Sequence, residues 1–580
     1  MLKTKNNFFS SYEYIENDLK FFVNSKIRMK ILSCLAYGSL TMKDIHIKSN
    51  LTYSSISNNI RKLEERGYVV KKYGEYQLNN LIKMKLQDII DFNDSINVIN
   101  EYSNFWPYHK TESIDNNSLK KISQLKGSKI IESNPTDIYK THNYFKDLLK
   151  ESKDVKSIFP FIHPEYSTIF EKLIENGSNI ELLFPKSIST SFIRLMDPYL
   201  VKTALNEGKL KIKSLDNEIK FALTVANNFI SFGLFKEDNS YDQNKILVSK
   251  TKKAIDWGNK TFESYKAKGR ILYFNPWNCF QFIFKIIHKI GFDKMYESSE
   301  NTEKLYYDDP IVFFNEFNNL RHILCSTIRT KLLLSLYYDK KKLATLRNDL
   351  KKPSATILHG LKELEKDSLI NKIDKYYCLS SMGYIFAVNL LKLIEKWYFI
   401  ELNTKFWKNQ NISSIPSDYL KEIVVFKNAE YIISDETDLI KPLNEYLELI
   451  TRSNDLKIVL PIFSKVHLDA IIHKLDNGSN VELIVDETIF ESINSNGYRK
   501  KLFKNSDNNE KRKNLNIWKL KENLNLFLTV SKNFVSLSLF FEDGNYNDSS
   551  ILLDKSEKGI TWGMNLFNYY KKIGNQLTFF

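Results

Sequence analysis

Residues 223–241 read LTVANNFISFGLFKEDNSY, and residues 528–546 read LTVSKNFVSLSLFFEDGNY. The likeness runs on without a gap, so that residues 217–269 and 522–574 agree at 22 of 53 positions. It also reaches back through the chain: Asn24-Ser25-Lys26-Ile27-Arg28 answers Cys325-Ser326-Thr327-Ile328-Arg329, Phe105-Trp106 answers Phe406-Trp407, and Thr136-Asp137 answers Thr437-Asp438. A period of roughly 300 residues is far too long for a solenoid. The chain is therefore a tandem duplication, and each half is expected to be one complete unit with domains of its own. A fused pseudo-dimer follows.

With 43% apolar and 13% aromatic residues, 12 Pro and 18 Gly in 580 residues, both halves can fill sizeable cores, which argues against extended disorder. Cys34, Cys279, Cys325 and Cys378 show no CxxC spacing and no pairing between copies, so neither a disulfide framework nor a metal site is indicated. A reducing cytoplasm fits them. The polar start (Lys3, Lys5, Asn6, Asn7) lacks the apolar core of an export signal. Pro276 to Phe292 is the most apolar stretch, but Lys285, His288 and Lys289 interrupt it; it reads as an amphipathic helix, and no stable membrane insertion is expected.

The net charge of +15 is concentrated. Residues 21–90 hold 12 Lys and Arg against 5 Asp and Glu, and residues 321–390 hold 13 against 6, which is +7 in each window. Two repeat-related basic patches are the electrostatic footprint of polyanion binding.

In the first window the apolar spacing predicts helices from Ile27 to Ala36, around Met42 to Lys48, and from Tyr53 to Arg66 after a Thr52 N-cap. On the third helix Ile56, Ile60 and Leu63 share one face, and Ser54, Ser55, Asn58, Arg61 and Lys62 share the other. Tyr68 to Leu78 alternates and turns like a β-hairpin with Lys71 and Lys72 at its tip. The second window repeats the order: Ile328 to Leu336, Leu343 to Leu350, Ser354 to Lys366, then Leu369 to Leu379. There the outer face holds Ser354, Thr356, His359 and Lys362, preceded by Lys351 and Lys352, with Lys372 and Lys375 on the hairpin. Three helices and a hairpin is the order of a winged helix-turn-helix, whose last helix enters the major groove of double-stranded DNA while the wing lies along phosphates.

Beyond Asn100 and Leu402 the pattern becomes mixed. Strands are expected at Asp154 to Pro160 and Asn179 to Phe184, with counterparts Asp455 to Pro461 and Asn480 to Val485. Helices between them close at Gly177 and Gly478, hairpin-like runs follow at Phe221 to Phe235 and Leu526 to Phe540, and each copy ends in a helix. This order argues for an α/β sandwich.

The ordered motifs carry a family resemblance. After each three-helix window come Phe-Trp at 105 and 406, Thr-Asp at 136 and 437, and Gly-Ser-Asn-Ile/Val-Glu-Leu at 177 and 478. Leu-Thr-Val, Leu-Phe, Glu-Asp, Tyr and Trp-Gly-x3-Phe-x2-Tyr then close each copy. This series resembles the archaeal methanogenesis-regulator (FilR-type) transcription factors over nearly all of both copies. The resemblance implies a DNA-binding regulator whose α/β domain senses a signal or dimerises. Two units in one chain depart from the family's usual single unit, as does the connector from Ile271 to Tyr307.

The α/β pattern is also loosely phospholipase-D-like, and that chemistry needs a His-x-Lys pair to attack phosphorus and hold the oxyanion. Its strand reads Phe221-Ala222-Leu223-Thr224-Val225 and Leu526-Phe527-Leu528-Thr529-Val530, without the pair, and none of the nine histidines faces another across the repeat. The sheet reads as catalytically empty. Glu237-Asp238 and Glu542-Asp543 read as turns rather than metal ligands. Trp106, Trp257, Trp407 and Trp562 read first as core, and as the floor of an effector pocket if one exists.

The domain plan is thus α+β and α/β: winged helix-turn-helix at 1–95, α/β regulatory domain at 96–270, connector at 271–307, second winged helix-turn-helix at 308–398 and second α/β domain at 399–580. The expected protein is no enzyme and needs no cofactor. It is a transcriptional regulator that binds double-stranded DNA, takes an unidentified small-molecule effector, and is open to self-association. The alternative is a protein-binding scaffold whose winged helices no longer bind DNA.

Overall fold

The computed structural model describes residues 2–577 apart from residues 37, 108, 151, 162, 189–194, 217, 272–316, 409, 436–437 and 504–511. The expected helix from Pro276 to Phe292, most of the connector, Cys279 and Thr437 lie outside the described residues. Among those described, no helix is long and apolar enough to cross a membrane.

Each copy opens with a small helical module ending in a hairpin. Helices Leu2–Val23, Lys26–Leu35, Met42–Ser49 and Tyr53–Glu65 precede strands Val69–Lys72 and Glu75–Leu78. The second copy has helices Asn318–Leu324, Thr327–Leu336, Leu343–Leu350 and Ser354–Lys366 before strands Ile370–Ile373 and Tyr376–Leu379. The repeated Ser-x-Ile-Arg motif builds one joint twice. Ser25 Oγ accepts the Arg28 N–H at 3.2 Å and Ser326 Oγ accepts that of Arg329 at 3.3 Å, capping the new helix. The arginine reaches back to the end of the previous helix, where Arg28 Nε donates to the Phe21 carbonyl at 2.9 Å and Arg329 Nε to that of His322 at 2.8 Å. One motif thus ends a helix and starts the next.

A 22-residue helix follows each hairpin, Asn80–Glu101 and Ser381–Leu402. The second is apolar nearly all round, and Ile385, Phe386, Leu390, Leu393, Ile394, Trp397 and Ile400 are all buried. A helix without a polar face has to be enclosed by protein.

The α/β domains share one sheet order. In the first it runs Leu210–Leu215, Asn179–Pro185, Asp154–Ile158, Phe221–Ala226, Ile230–Leu234, Lys245–Ser249, Lys129–Glu132, with Arg270–Ile271 on the outer side of Leu210–Leu215. The first three strands are parallel and the rest antiparallel. The second sheet repeats this with Leu515–Leu520, Asn480–Asp486, Asp455–Val459, Leu526–Val530, Val535–Phe541, Ser550–Asp554 and Glu430–Ile433. The closing helices Lys252–Lys266 and Glu557–Ile573 lie on these sheets, and their repeated Trp-Gly has a steric cause. A Cβ on Gly258 would stand 2.6 Å from Ile230 Cδ1 and 2.7 Å from Val225 Cγ2, and one on Gly563 would stand 2.5 Å from Val535 Cγ2. Only glycine lets helix and sheet approach this closely.

The two compact units are not the two sequence halves. One comprises Ile90–Lys392, and the other comprises Leu2–Ile89 with Leu393–Phe580. Each unit therefore joins the helical module of one copy to the α/β domain of the other, and each long helix begins in one unit and ends in the other. The expectation that each half forms its own complete unit is corrected here, because the apolar long helices find their cover on the opposite copy. In the second unit Leu81 and Met84 share a core with Phe399, Trp407 and Phe426. There Asn80 Nδ2 donates to the Gln410 carbonyl at 2.6 Å, and the Trp397 indole donates to Asp18 at 3.2 Å. In the first unit Asn389 Nδ2 donates to the Leu119 carbonyl at 3.1 Å, Lys392 Nζ to that of Lys120 at 3.0 Å, and the Tyr384 hydroxyl to Asn116 at 3.2 Å.

Because of this exchange, cutting the backbone within residues 272–316 leaves two fragments held together by both units. A protease site inserted there, followed by size-exclusion chromatography of the cut protein without denaturant, should give one peak holding both fragments. Two separate folded fragments would show that each half stands alone.

Candidate nucleic-acid interface

In the first module Thr52 caps helix Tyr53–Glu65, accepting the Ser55 N–H at 3.3 Å and donating its own hydroxyl to Ser55 Oγ at 2.9 Å. Ile56, Ile60 and Leu63 are buried against the module. Ser54, Asn58, Arg61 and Lys62 are exposed on the outer face, whereas Ser55 is half-buried and engaged by the cap. Arg61 stands 3.7 Å from Glu65, an exposed pair that leaves the guanidinium available.

The hairpin pairs Lys72 with Glu75 across a two-residue turn, with Tyr73 at φ 51° and Gly74 at φ 86°, the positive values that match the strand twist. Lys71 and Lys72 are exposed, and the Tyr73 ring is fully exposed at the tip. Lys72 Nζ lies 3.7 Å from Glu542 of the same unit. A pair so long and so accessible is worth about 0–1 kcal/mol. It does not commit Lys72.

The second module places Lys351 and Lys352, both exposed, just before helix Ser354–Lys366. Lys351 takes the left-handed conformation (φ 51°) that ends the preceding helix, as Asn50 does in the first copy at φ 52°. Ile357, Leu361 and Leu364 are buried. Thr356, His359 and Lys362 are exposed, and Ser354 is half-buried. A Cβ on Gly360 would meet Ile328 Cγ2 at 2.8 Å and Leu332 Cδ1 at 2.9 Å, so this glycine lets the helix press on Thr327–Leu336. Lys372 and Lys375 are exposed on the hairpin.

Sequence reasoning missed one local feature. Lys341–Lys342 forms a third strand against Tyr376–Leu379, which holds Lys340 and Lys342 over the Tyr376 ring at 5.3 and 5.1 Å. The run of three lysines was the available signal, hidden because a two-residue strand has no periodicity. The first copy has only the single bridge Leu40 to Tyr76. In both modules, then, hydroxyl, amide and cationic groups gather on the last helix and lysines on the hairpin. These are donors suited to phosphate oxygens and base edges.

The four tryptophans lie in the core. Trp106, Trp257, Trp407 and Trp562 are buried, and the Trp257 and Trp562 indoles donate to the carbonyls of Ser118 at 2.9 Å and Tyr419 at 3.0 Å, the same bond in each copy. None of the four lines the cavities described below. Glu237-Asp238 and Glu542-Asp543 form turns, with Asp238 accepting the Ser240 N–H at 2.8 Å and Asp543 that of Asn545 at 2.9 Å.

Each sheet also carries a cavity at one equivalent place. In the first domain it lies beside His142, His163 and Tyr166, and in the second beside Tyr446, His467 and Phe527. Burial lowers the His467 pKa to about 4, so this ring stays neutral between helix and sheet.

Comparison with known proteins adds the following. The model of the methanogenesis regulatory protein FilR1 N-terminal domain matches residues 16–96 and 317–397, and that of the FilR1 middle domain matches residues 138–268 and 439–573. The methanogenesis regulatory protein FilR1 of Methanothrix harundinacea (strain 6Ac) is 26% identical over 260 residues, which is 44% of this chain and 58% of that protein. The chain thus spans just over half the length of that relative. Among solved structures, the archaeal chromatin protein TrmBL2 matches 44% of this chain and 100% of its own at 15% identity and a TM-score of 0.21. The phospholipase D family member Nuc from Salmonella typhimurium matches 26% of this chain and 99% of its own at 9% identity and a TM-score of 0.20. Scores this low carry no argument about fold or site.

His467 generates a pH prediction. Unfolded, its imidazole takes up a proton near pH 6.5, but folded only near pH 4. As pH falls through that interval the unfolded state binds the proton first, so stability is lost, by about 2 kcal/mol between about pH 7.5 and pH 5. Urea denaturation of His467→Leu at the two pH values should show that much less acid loss than wild type. Equal losses would mean that His467 is not held neutral.

Proposed function

The chain belongs to the FilR1 family of methanogenesis regulatory proteins, and we propose that it is a DNA-binding transcriptional regulator with two winged helix-turn-helix heads in one polypeptide. The observation that carries this reading is the paired construction of the modules. Each sets three helices and a hairpin in the winged-helix order, keeps Ile56, Ile60 and Leu63 or Ile357, Leu361 and Leu364 inside, and turns polar and cationic side chains outward. Each lies in a window carrying +7.

On this reading Ser54, Asn58, Arg61 and Lys62 in one head, and Ser354, Thr356, His359 and Lys362 in the other, approach base edges. Ser55 serves the cap first. Lys71, Lys72, Lys351, Lys352, Lys372 and Lys375 hold phosphates. The heads differ at aligned positions: Asn58 stands where the other has His359, and Arg61 where it has Lys362. Asn reads adenine in two-point fashion and Arg reads guanine, whereas His and Lys offer other geometries. The chain therefore favours an operator of two unlike half-sites over a palindrome. The α/β domains, each packed with the head of the other copy, are the regulatory parts.

Selection of bound duplexes from a random pool by the full chain, at about 150 mM salt where the Debye length is near 8 Å, tests the reading. Enrichment of two unlike half-sites at fixed spacing is expected. No enrichment by a folded chain would favour a protein-binding scaffold with silent heads.

The hairpin lysines should act through charge alone. Replacing Lys71, Lys72, Lys372 and Lys375 by Ala should weaken binding about equally on all sequences, and should flatten the slope of log K against log salt by ~0.9 per lost phosphate contact. An unchanged slope would remove these residues from the interface.

A further inference from the structure

The cavities of the two α/β domains are equivalent in place but not in size. The first measures about 460 Å³ and the second about 230 Å³. Two aligned substitutions bear on the difference. Ala222 stands where the second copy has Phe527, whose ring packs on His467 at 5.2 Å and Tyr446 at 5.2 Å and takes up part of the space. Gly233 stands where the second copy has Ser538, and a Cβ there would fall 2.2 Å from the Tyr241 hydroxyl. Glycine leaves room for the Tyr241 ring, which lies 4.2 Å from that of Phe161.

The chemistry of the larger cavity is specific. Its rings form a cluster, with His142 and His163 centred 4.4 Å apart and His142 stacked on Tyr166 at 5.7 Å and 10°. Thr141, Thr224, Ser231, Gln243 and Asn244 add neutral hydrogen-bonding groups, and none of the described lining residues is Lys, Arg, Asp or Glu. Burial and the neighbouring His142 lower the His163 pKa, and burial raises those of Tyr166 and Tyr241, so these groups stay neutral near pH 7. Glu165 holds His142 Nε2 at 3.0 Å from outside the lining. Among the described residues no Lys, Arg, Asp or Glu lines the cavity to pair with a charged ligand, and the nearby Glu165 is already held by His142 and Lys146, so a charged ligand would give up its hydration for little compensation. A flat uncharged ring could stack on the aromatic walls and exchange hydrogen bonds with the hydroxyls and amides.

We propose that the cavity beside His142, His163, Tyr166 and Tyr241 binds an uncharged, planar ring compound, and that its counterpart, narrowed by Phe527, does not, so that the duplicated chain carries one ligand site of this kind instead of two. The site stands on the cavity itself. Its consequence for the heads rests on the function proposed above and has a physical route: His109 Nε2 meets Asp242, between lining residues Tyr241 and Gln243, at 3.0 Å, and Ser381 Oγ at the start of helix Ser381–Leu402 donates to the His109 carbonyl. In the second copy Gln410 and Asn547 replace His109 and Asp242.

The test reads binding directly on the full chain, without DNA, so it is independent of whether the heads bind DNA. Indole, nicotinamide and 4-hydroxyacetanilide serve as neutral planar probes, with benzoate and benzylammonium as charged ones, followed by saturation-transfer NMR and competition titration. At least one neutral probe is expected to bind in the millimolar range or tighter with one site per chain, and the charged probes about tenfold more weakly. Ala222→Phe, which copies the second domain, should abolish binding, and Phe161→Ile, which copies Ile462 at the mouth, should weaken it about tenfold if Ala222→Phe fails to fold. Phe527→Ala should add a second site. No binding of any neutral probe, preference for a charged one, or binding unchanged in folded Ala222→Phe or Phe161→Ile would overturn the proposal.

Discussion

Burial of the two long helices is the constraint on which the rest of this structure depends. Ser381–Leu402 has almost no polar face, and each fully buried Leu, Ile or Phe on it contributes ~1.5–3 kcal/mol, so leaving it in water would forfeit a large share of the fold's stability. Its cover comes from the opposite copy at both ends. Phe386 packs on Phe92 at 5.4 Å within one unit, and Trp397 on Phe22 at 5.2 Å within the other. A head and the α/β domain that follows it in sequence therefore belong to different units, and the duplication is interlocked.

Buried charge specifies that interlocking. Lys85 bonds Asp18 at 2.8 Å and also Glu401, and Lys396 pairs with Asp88; both lysines are almost wholly buried. The repeat-related positions carry no such charges: Phe386 answers Lys85, Asn389 answers Asp88, Ser95 answers Lys396 and Asn100 answers Glu401. Pairing two first-copy helices in the same way would set Lys85 against Asn100 and Asp88 against Ser95. Lys85 would keep Asp18 of its own copy and lose Glu401, while Asp88 would lose Lys396; removing one partner of a buried pair costs about 3–5 kcal/mol, so first copy with second is preferred over like with like. Such pairs add little net stability, but they choose the partner.

Some of the divergence between the copies falls where function is proposed. Thr224 and Thr529, the Trp-Gly pairs, the indole bonds to Ser118 and Tyr419 and the Ser-x-Ile-Arg joints agree because sheet, helix contact and capping admit few alternatives. Asn58 against His359 and Ala222 against Phe527 differ at an exposed face and a cavity wall.

Much of this was legible in the sequence alone. The duplication, the helix order of both modules, Thr52 as N-cap, the strands beginning at Asp154, Asn179, Asp455 and Asn480 and the acidic turns follow from local periodicity, capping and turn chemistry, which act over a few residues. The outer faces of Tyr53–Glu65 and Ser354–Lys366 were readable for the same reason, since a 3.6-residue period assigns the inside and the outside together. The exchange of units was not, because a helix apolar on all sides declares that it must be covered but not by what. Nor was the cavity: His142 lies far before Ala222, Gly233 and Tyr241 in the chain, and all four are ordinary residues there. Only the folded sheet brings them together, and only comparison with Phe527 and Ser538 shows the space that a missing ring and a missing Cβ leave open.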